Sequence, residues 1–186
     1  MIAFDLQLRR PLAGGAPFGE VGPYEELKGR LRMSVDPSHA ANARVTDLAL
    51  APRDGAGRVA FAADVSILAP VDRRRASGRL LIDVVNRGNR VAVPNFNRAT
   101  RPVFTPASEP NPPIDVGDGF LMRRGVVVAS CGWQWDVPRI PGLLRLEAPE
   151  ARGADGERLR GRLLVQLQAP TRVPHFLLSD RGHVPY

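Results

Sequence analysis

Over the first half of this chain apolar and polar positions alternate, which is the period of a strand with one dry face. Ile2 to Arg9 alternates, and so does Tyr24 to Val35 through Leu27, Leu31, Met33 and Val35 until Asp36-Pro37 stops it. The residue before a proline favours extended or turn geometry, so the second strand ends there. Asn42 to Ala51, with Val45, Leu48 and Leu50, reads as a further strand closed by the turn from Pro52 to Gly57. Arg58 to Leu68 places Val59, Phe61, Ala63, Val65 and Ile67 on one side. Residues 1–78 are therefore expected to form β hairpins with one wet face.

The pattern changes at Leu80-Leu81-Ile82-Asp83-Val84-Val85, where an almost continuous apolar run predicts a strand buried on both faces. Val126 to Cys131 is a second such run. Between them, Asn86 to Gly117 is rich in proline and has no periodic signal, and so long a connection in a compact domain is usually functional. Asp118 then reads as an N-cap, Gly119 to Arg124 as a short helix burying Phe120 and Leu121, and Gly125 as its C′ residue. Strand, crossover and strand predict a βαβ unit over 79–138, with parallel neighbouring strands whose carboxyl ends face one cleft. Residues 139–186 are expected to add a hairpin, pairing Leu143 to Leu146 with Gly161 to Gln168, and a tail. The expected class is α/β, with antiparallel hairpins leading into the βαβ unit of a mixed sheet. A single domain over 1–186 can bury roughly 70 % of its unfolded surface.

Charge changes this picture little. The net charge of +7 invites a nucleic-acid reading. The arginines are scattered through loops and strand ends, Lys28 is the only lysine, and Arg73-Arg74-Arg75 sits in a turn, so no nucleic acid is expected as a partner. The single cysteine, Cys131, rules out an intrachain disulfide and points to a reducing compartment. No signal-peptide pattern opens the chain, and no apolar run nears the ~20 residues of a membrane span. A soluble, cytoplasmic protein with no membrane partner is expected. The glycines of Gly14 to Gly22 lack phosphate-loop spacing, and His, Cys and carboxylates show no ligand spacing, so neither a cofactor nor a metal is expected.

The turn Asn86-Arg87-Gly88-Asn89 leaves the first central strand and could aim backbone N–H groups at an anionic oxygen, a contribution of ~3 kcal/mol in a transition state. An ordinary glycine turn is the alternative. Trp133, Gln134, Trp135 and Asp136 leave the second central strand, where large aromatics either pack a core or line a pocket. Val128-Ala129-Ser130-Cys131-Gly132 departs from a nucleophile elbow at its first position, and the sequence up to Pro138 supplies no helix after it. Ser130 and Cys131 are therefore not expected to be nucleophiles. His39 lies in a turn, and His175 and His183 lie in the tail.

Several blocks together resemble a family of α/β-hydrolase domain proteins: Gly22-Pro23-Tyr24-Glu25, Asp36-Pro37, Asp47-Leu48 with Ala51-Pro52, Val84 to Asn89, Gly117 to Arg123, Gly132 to Pro138 and Leu178 to His183. The resemblance implies that Asn86, Arg87 and Gly88 form an oxyanion loop. It also implies that Trp133, Gln134, Trp135 and Asp136 shape the pocket of a small ester-like substrate. Members of the family are longer, which implies that nucleophile, acid and His lie beyond Tyr186. The chain then corresponds to an amino-terminal portion, inert alone, with the missing carboxy-terminal half as a partner. A β-rich module binding carbohydrate or protein is the alternative.

Overall fold

Three long strands, β1 (Ile2–Pro11), β2 (Tyr24–Val35) and β3 (Val59–Pro70), pair antiparallel in sequence order. The computed structural model describes residues 2–162, 164, 168 and 171–175. Beyond β3 the order inverts: β5 (Val127–Cys131) pairs antiparallel with β3, and β4 (Leu80–Val84) lies outside it, parallel to β5. A two-residue strand, β6 (Leu146–Glu147), pairs with β3 beyond the end of β5.

The α/β class expected from the sequence is overturned. Six strands form one mixed, mainly antiparallel sheet, and the α-helices among the described residues are α1 (Ala92–Phe96, 5 residues) and α2 (Phe120–Arg123, 4 residues). Prolines at 94, 102, 106, 110, 112 and 113 keep most of the connection between β4 and β5 out of helix, so no helical layer can form there. The parallel pair is present, but it sits at the edge of a β-rich sheet.

Other expectations are corrected with it. β4 is not buried on both faces: Leu80, Ile82 and Val84 are each about 60 % exposed (59 %, 62 % and 60 %), while Asp83 on the opposite face is 3 % exposed. It is the edge strand, with β5 as its neighbour and nothing described over its outer side. Residues 42–51 are turns with short 3-10 segments rather than a strand. The Leu143 to Leu146 strand shrinks to β6, and half of the expected partner segment, 161–168, lies outside the described residues. The helix buries Leu121 and Met122, whereas Phe120 is exposed beneath the Arg124 guanidinium, 4.6 Å from its ring centroid.

The termini of α2 explain how a single turn persists. Asp118 Oδ1 accepts from the Phe120 N–H at 2.9 Å. At the other end Gly125, at φ +68°, donates to Met122 O while Val126 N–H reaches Leu121 O, the paired bonds of a Schellman stop. Both helices pack on one sheet face, joining Leu12, Phe18, Tyr24, Leu68, Val126 and Val128 in the main core. The Tyr24 hydroxyl donates to Val126 O, and burial pushes its pKa up to about 12.

Asn97, fully buried, ties α1 to α2: its Oδ1 accepts from Leu121 N–H at 3.0 Å and its Nδ2 donates to Val116 O at 2.9 Å. Removing it leaves the Leu121 N–H without its partner in a dry site, while Val116 O keeps the Gly119 N–H, so Asn97→Ala should lower the unfolding free energy by about 1–3 kcal/mol in urea titrations. On the sheet margin, Glu25 is gripped by Arg9 and Arg73, and the Arg9 guanidinium, with help from Arg73, holds its carboxyl below the ordinary value of 4.5. A depressed folded pKa contributes stability that is present above 4.5 and lost as pH falls through the lowered value. Glu25→Gln should therefore reduce stability at pH 7 and lessen its fall below pH 4.5, read as midpoint shifts in thermal melts across pH.

Candidate functional site

Because β4 and β5 run parallel, the turns leaving them emerge at one end of the sheet. After β4, Asn86 and Asn89 exchange backbone hydrogen bonds at 3.0 and 2.9 Å, closing a two-residue turn with Arg87 at φ +49° and Gly88 at φ +83°. Positive φ at both central positions is the geometry that favours glycine, and here one of the two is an arginine. Gly88 is also needed for space: a Cβ there would stand 2.8 Å from Val137 Cγ1 and 2.9 Å from Leu143 Cβ.

After β5, residues 132–137 run between this turn and the segment that becomes β6. Gly132 N–H donates to Asp64 O, Leu146 N–H to Gln134 O, and Leu144 N–H to Gly88 O. Three side-chain hydrogen bonds then join the two turns. Gln134 Oε1 accepts the Arg87 N–H at 2.9 Å, Arg87 Nη1 donates to Asp136 Oδ1 at 2.9 Å, and Trp133 Nε1 donates to Val85 O at 2.6 Å. The sequence-predicted residues Asn86, Arg87, Gly88, Trp133, Gln134 and Asp136 are thus brought into one contact network. Trp135 adds its carbonyl, which accepts from Arg145 Nη2.

The network limits what the turn can do. The Arg87 N–H is occupied by Gln134 and the Asn86 N–H by Asn89, so the Gly88 N–H is the turn's donor without a partner among the described residues. The two indoles do not fill a core: Trp133 is 54 % and Trp135 60 % exposed. Asp136, by contrast, is buried against Arg87.

Neighbouring candidates take structural places. Ser130 is 2 % exposed and its Oγ donates to Asp83 Oδ2 at 2.9 Å, inside the sheet's covered face. Burial raises the Cys131 thiol, and Asp64 nearby adds to that. Neither is presented as an exposed nucleophile. His39 is exposed and its Nδ1 accepts from Ala41 N–H, His175 is exposed, and His183 lies outside the described residues. Among the described residues no group of three or more His, Cys, Asp and Glu could hold a metal ion, and no helix is long and apolar enough to cross a membrane.

Two cavities escaped the sequence reading. One of about 310 Å³ lies among Val35, Val45, Leu48, Phe61, Leu146 and Pro149. Another of about 220 Å³ lies within the proline-rich connection, with Arg90 on its wall. Neither has a periodic signature, because the first combines the ends of β2, β3 and β6 with turn residues and the second is lined by irregular chain. The prolines that line the second cavity, Pro94, Pro102, Pro112 and Pro113, were the available signal, since they mark a fixed, mostly non-helical path.

The Arg87–Asp136 pair, with side chains 17 % and 10 % exposed, should show a coupling of about 1–2 kcal/mol in a double-mutant cycle built from Arg87→Met and Asp136→Ala in urea. The Arg74–Asp72 pair, 91 % and 36 % exposed, should show almost none. In comparisons with known proteins no family model, curated protein or solved structure matches this chain.

Proposed function

We propose that this chain supplies the substrate-facing turns of a hydrolase acting on a small ester-like substrate, the nucleophile coming from outside this sequence. The Gly88 N–H is the donor for a developing oxyanion in this reading, and Trp133 and Trp135 form the apolar side of the acyl or aryl site. The observation that supports it most is the fixing of the two turns to each other at one end of the parallel pair through Arg87, Gln134 and Asp136. A turn held on three sides keeps its N–H direction, and oxyanion stabilisation depends on such prior orientation. Ser130, buried and bonded to Asp83, is not offered as that nucleophile.

A second reading, a carbohydrate-binding surface without catalysis, is favoured by the exposure of both indoles, since aromatic faces open to water are suited to stacking on sugar rings. The protein's only two tryptophans are these two, so intrinsic emission reports on this site alone. Phenyl butyrate should change that emission saturably without being hydrolysed, and Trp135→Phe should weaken the response. Hydrolysis abolished by Ser130→Ala overturns the outside nucleophile, and an emission that responds to cellohexaose and not to the ester overturns the ester reading.

A further inference from the structure

The connection between β4 and β5 encloses the 220 Å³ cavity almost entirely with its own residues, among them Val93, Thr100, Pro102, Phe104 and Ile114. Against these apolar walls stands one cation. Arg90 has a side chain only 10 % exposed, its one hydrogen bond is to Glu26 Oε1 at a long 3.5 Å, and its Nε is buried with no partner among the described residues. A guanidinium offers five N–H donors in a planar fork, so most of this one's capacity is unmet. An unsatisfied buried donor is costly in a dry site, and a ligand oxygen is one way to meet it.

The carboxylates around Arg90 are already engaged elsewhere. Near Arg90 lie two further cations, Arg10 and Lys28, and two carboxylates, Glu26 and Asp83. Glu26 already accepts from Arg10 and from Ser66 Oγ, and Asp83 from Ser130 Oγ and the Val91 N–H. Asp64, beside Lys28, accepts from the Arg145 N–H, so apart from the one long bond to Glu26 none of these carboxylates meets the donors of Arg90. The other carboxylate at the cavity, Asp115, has its oxygens turned to the N–H groups of Thr100 and Gly117 at 2.9 and 2.8 Å.

We infer that this cavity binds a small monocarboxylate with an apolar body, the carboxylate paired with Arg90 and the body lying against Val93, Phe104 and Ile114. The fork of a guanidinium matches a carboxylate, the apolar walls cannot satisfy its remaining donors, and the cavity is too small for a polymer. This inference does not rest on the ester reading: the cavity shares no residue with the 133–136 segment, and its test does not use tryptophan emission.

Calorimetric titration with acetate, isovalerate, benzoate and phenylacetate tests it, each of the last three paired with its neutral amide. At least one of the larger acids should bind saturably and about tenfold or more tightly than its amide. Arg90→Met should abolish that preference. Ile114→Phe, which fills the cavity and leaves every charge in place, should abolish binding while the thermal melt stays cooperative, so the idea stays testable even if Arg90→Met fails to fold. Binding by none of the acids, equal binding of acid and amide, or undiminished binding by folded Ile114→Phe overturns it.

Discussion

A carboxylate almost wholly removed from water organises the covered face of this sheet. Glu26, 1 % exposed, accepts from Arg10 on β1, from Ser66 Oγ on β3 and from Arg90 in the connection beyond β4. A buried charge is tolerated only when it is paired and hydrogen-bonded, and the three partners come from three different parts of the chain. Along the neighbouring register row Lys28, Ser66, Ser130 and Asp83 stand side by side across four strands. Arg10 and Lys28 extend the same network to the backbone and side chain of residues 110–112. A segment with no hydrophobic period is thereby fixed onto the sheet by polar contacts.

The next row on the other face has the opposite character. Leu27, Ile67, Ala129 and Ile82 are consecutive partners across β2, β3, β5 and β4, all apolar, none of them fully buried. The helices lie on the polar-rowed face, where Leu68, Val128, Leu121 and Met122 give them an apolar footing beside the ion pairs. This asymmetry is why the α/β expectation fails. Two helices of 5 and 4 residues can cover part of one face, and the described chain offers no others.

Both candidate regions hang from the same connection. At its start, Arg87 and Gly88 make a turn locked to the segment leaving β5; three residues on, Arg90 leaves that exposed rim for the buried ion cluster. The fixed turn and the polar anchor are mechanically continuous, since the chain from 86 to 91 is bound at each end, by Asn89 and Gln134 on one side and by Asp83 and Glu26 on the other.

Periodicity made β1, β2 and β3 legible, and chemistry at the ends of α2, Asp118 before it and Gly125 after it, located a helix of a single turn. Two apolar runs in one order sufficed to expect parallel neighbours at β4 and β5, with turns at one end. Burial was not legible at β4, because an aliphatic run looks the same whether its outer side is covered or is an edge. The strand expected over 42–51 failed for a related reason: Val45, Leu48 and Leu50 carry apolar spacing, but no partner strand reaches them and local turn bonds win. Which donors of the Asn86 to Asn89 turn are occupied, and that Arg90 is a buried cation rather than another solvated arginine, depend on contacts between residues far apart in the chain. Local sequence determines where the backbone extends and bends; only the packed structure decides which charges lose their water, because desolvation is a property of neighbours and not of the residue itself.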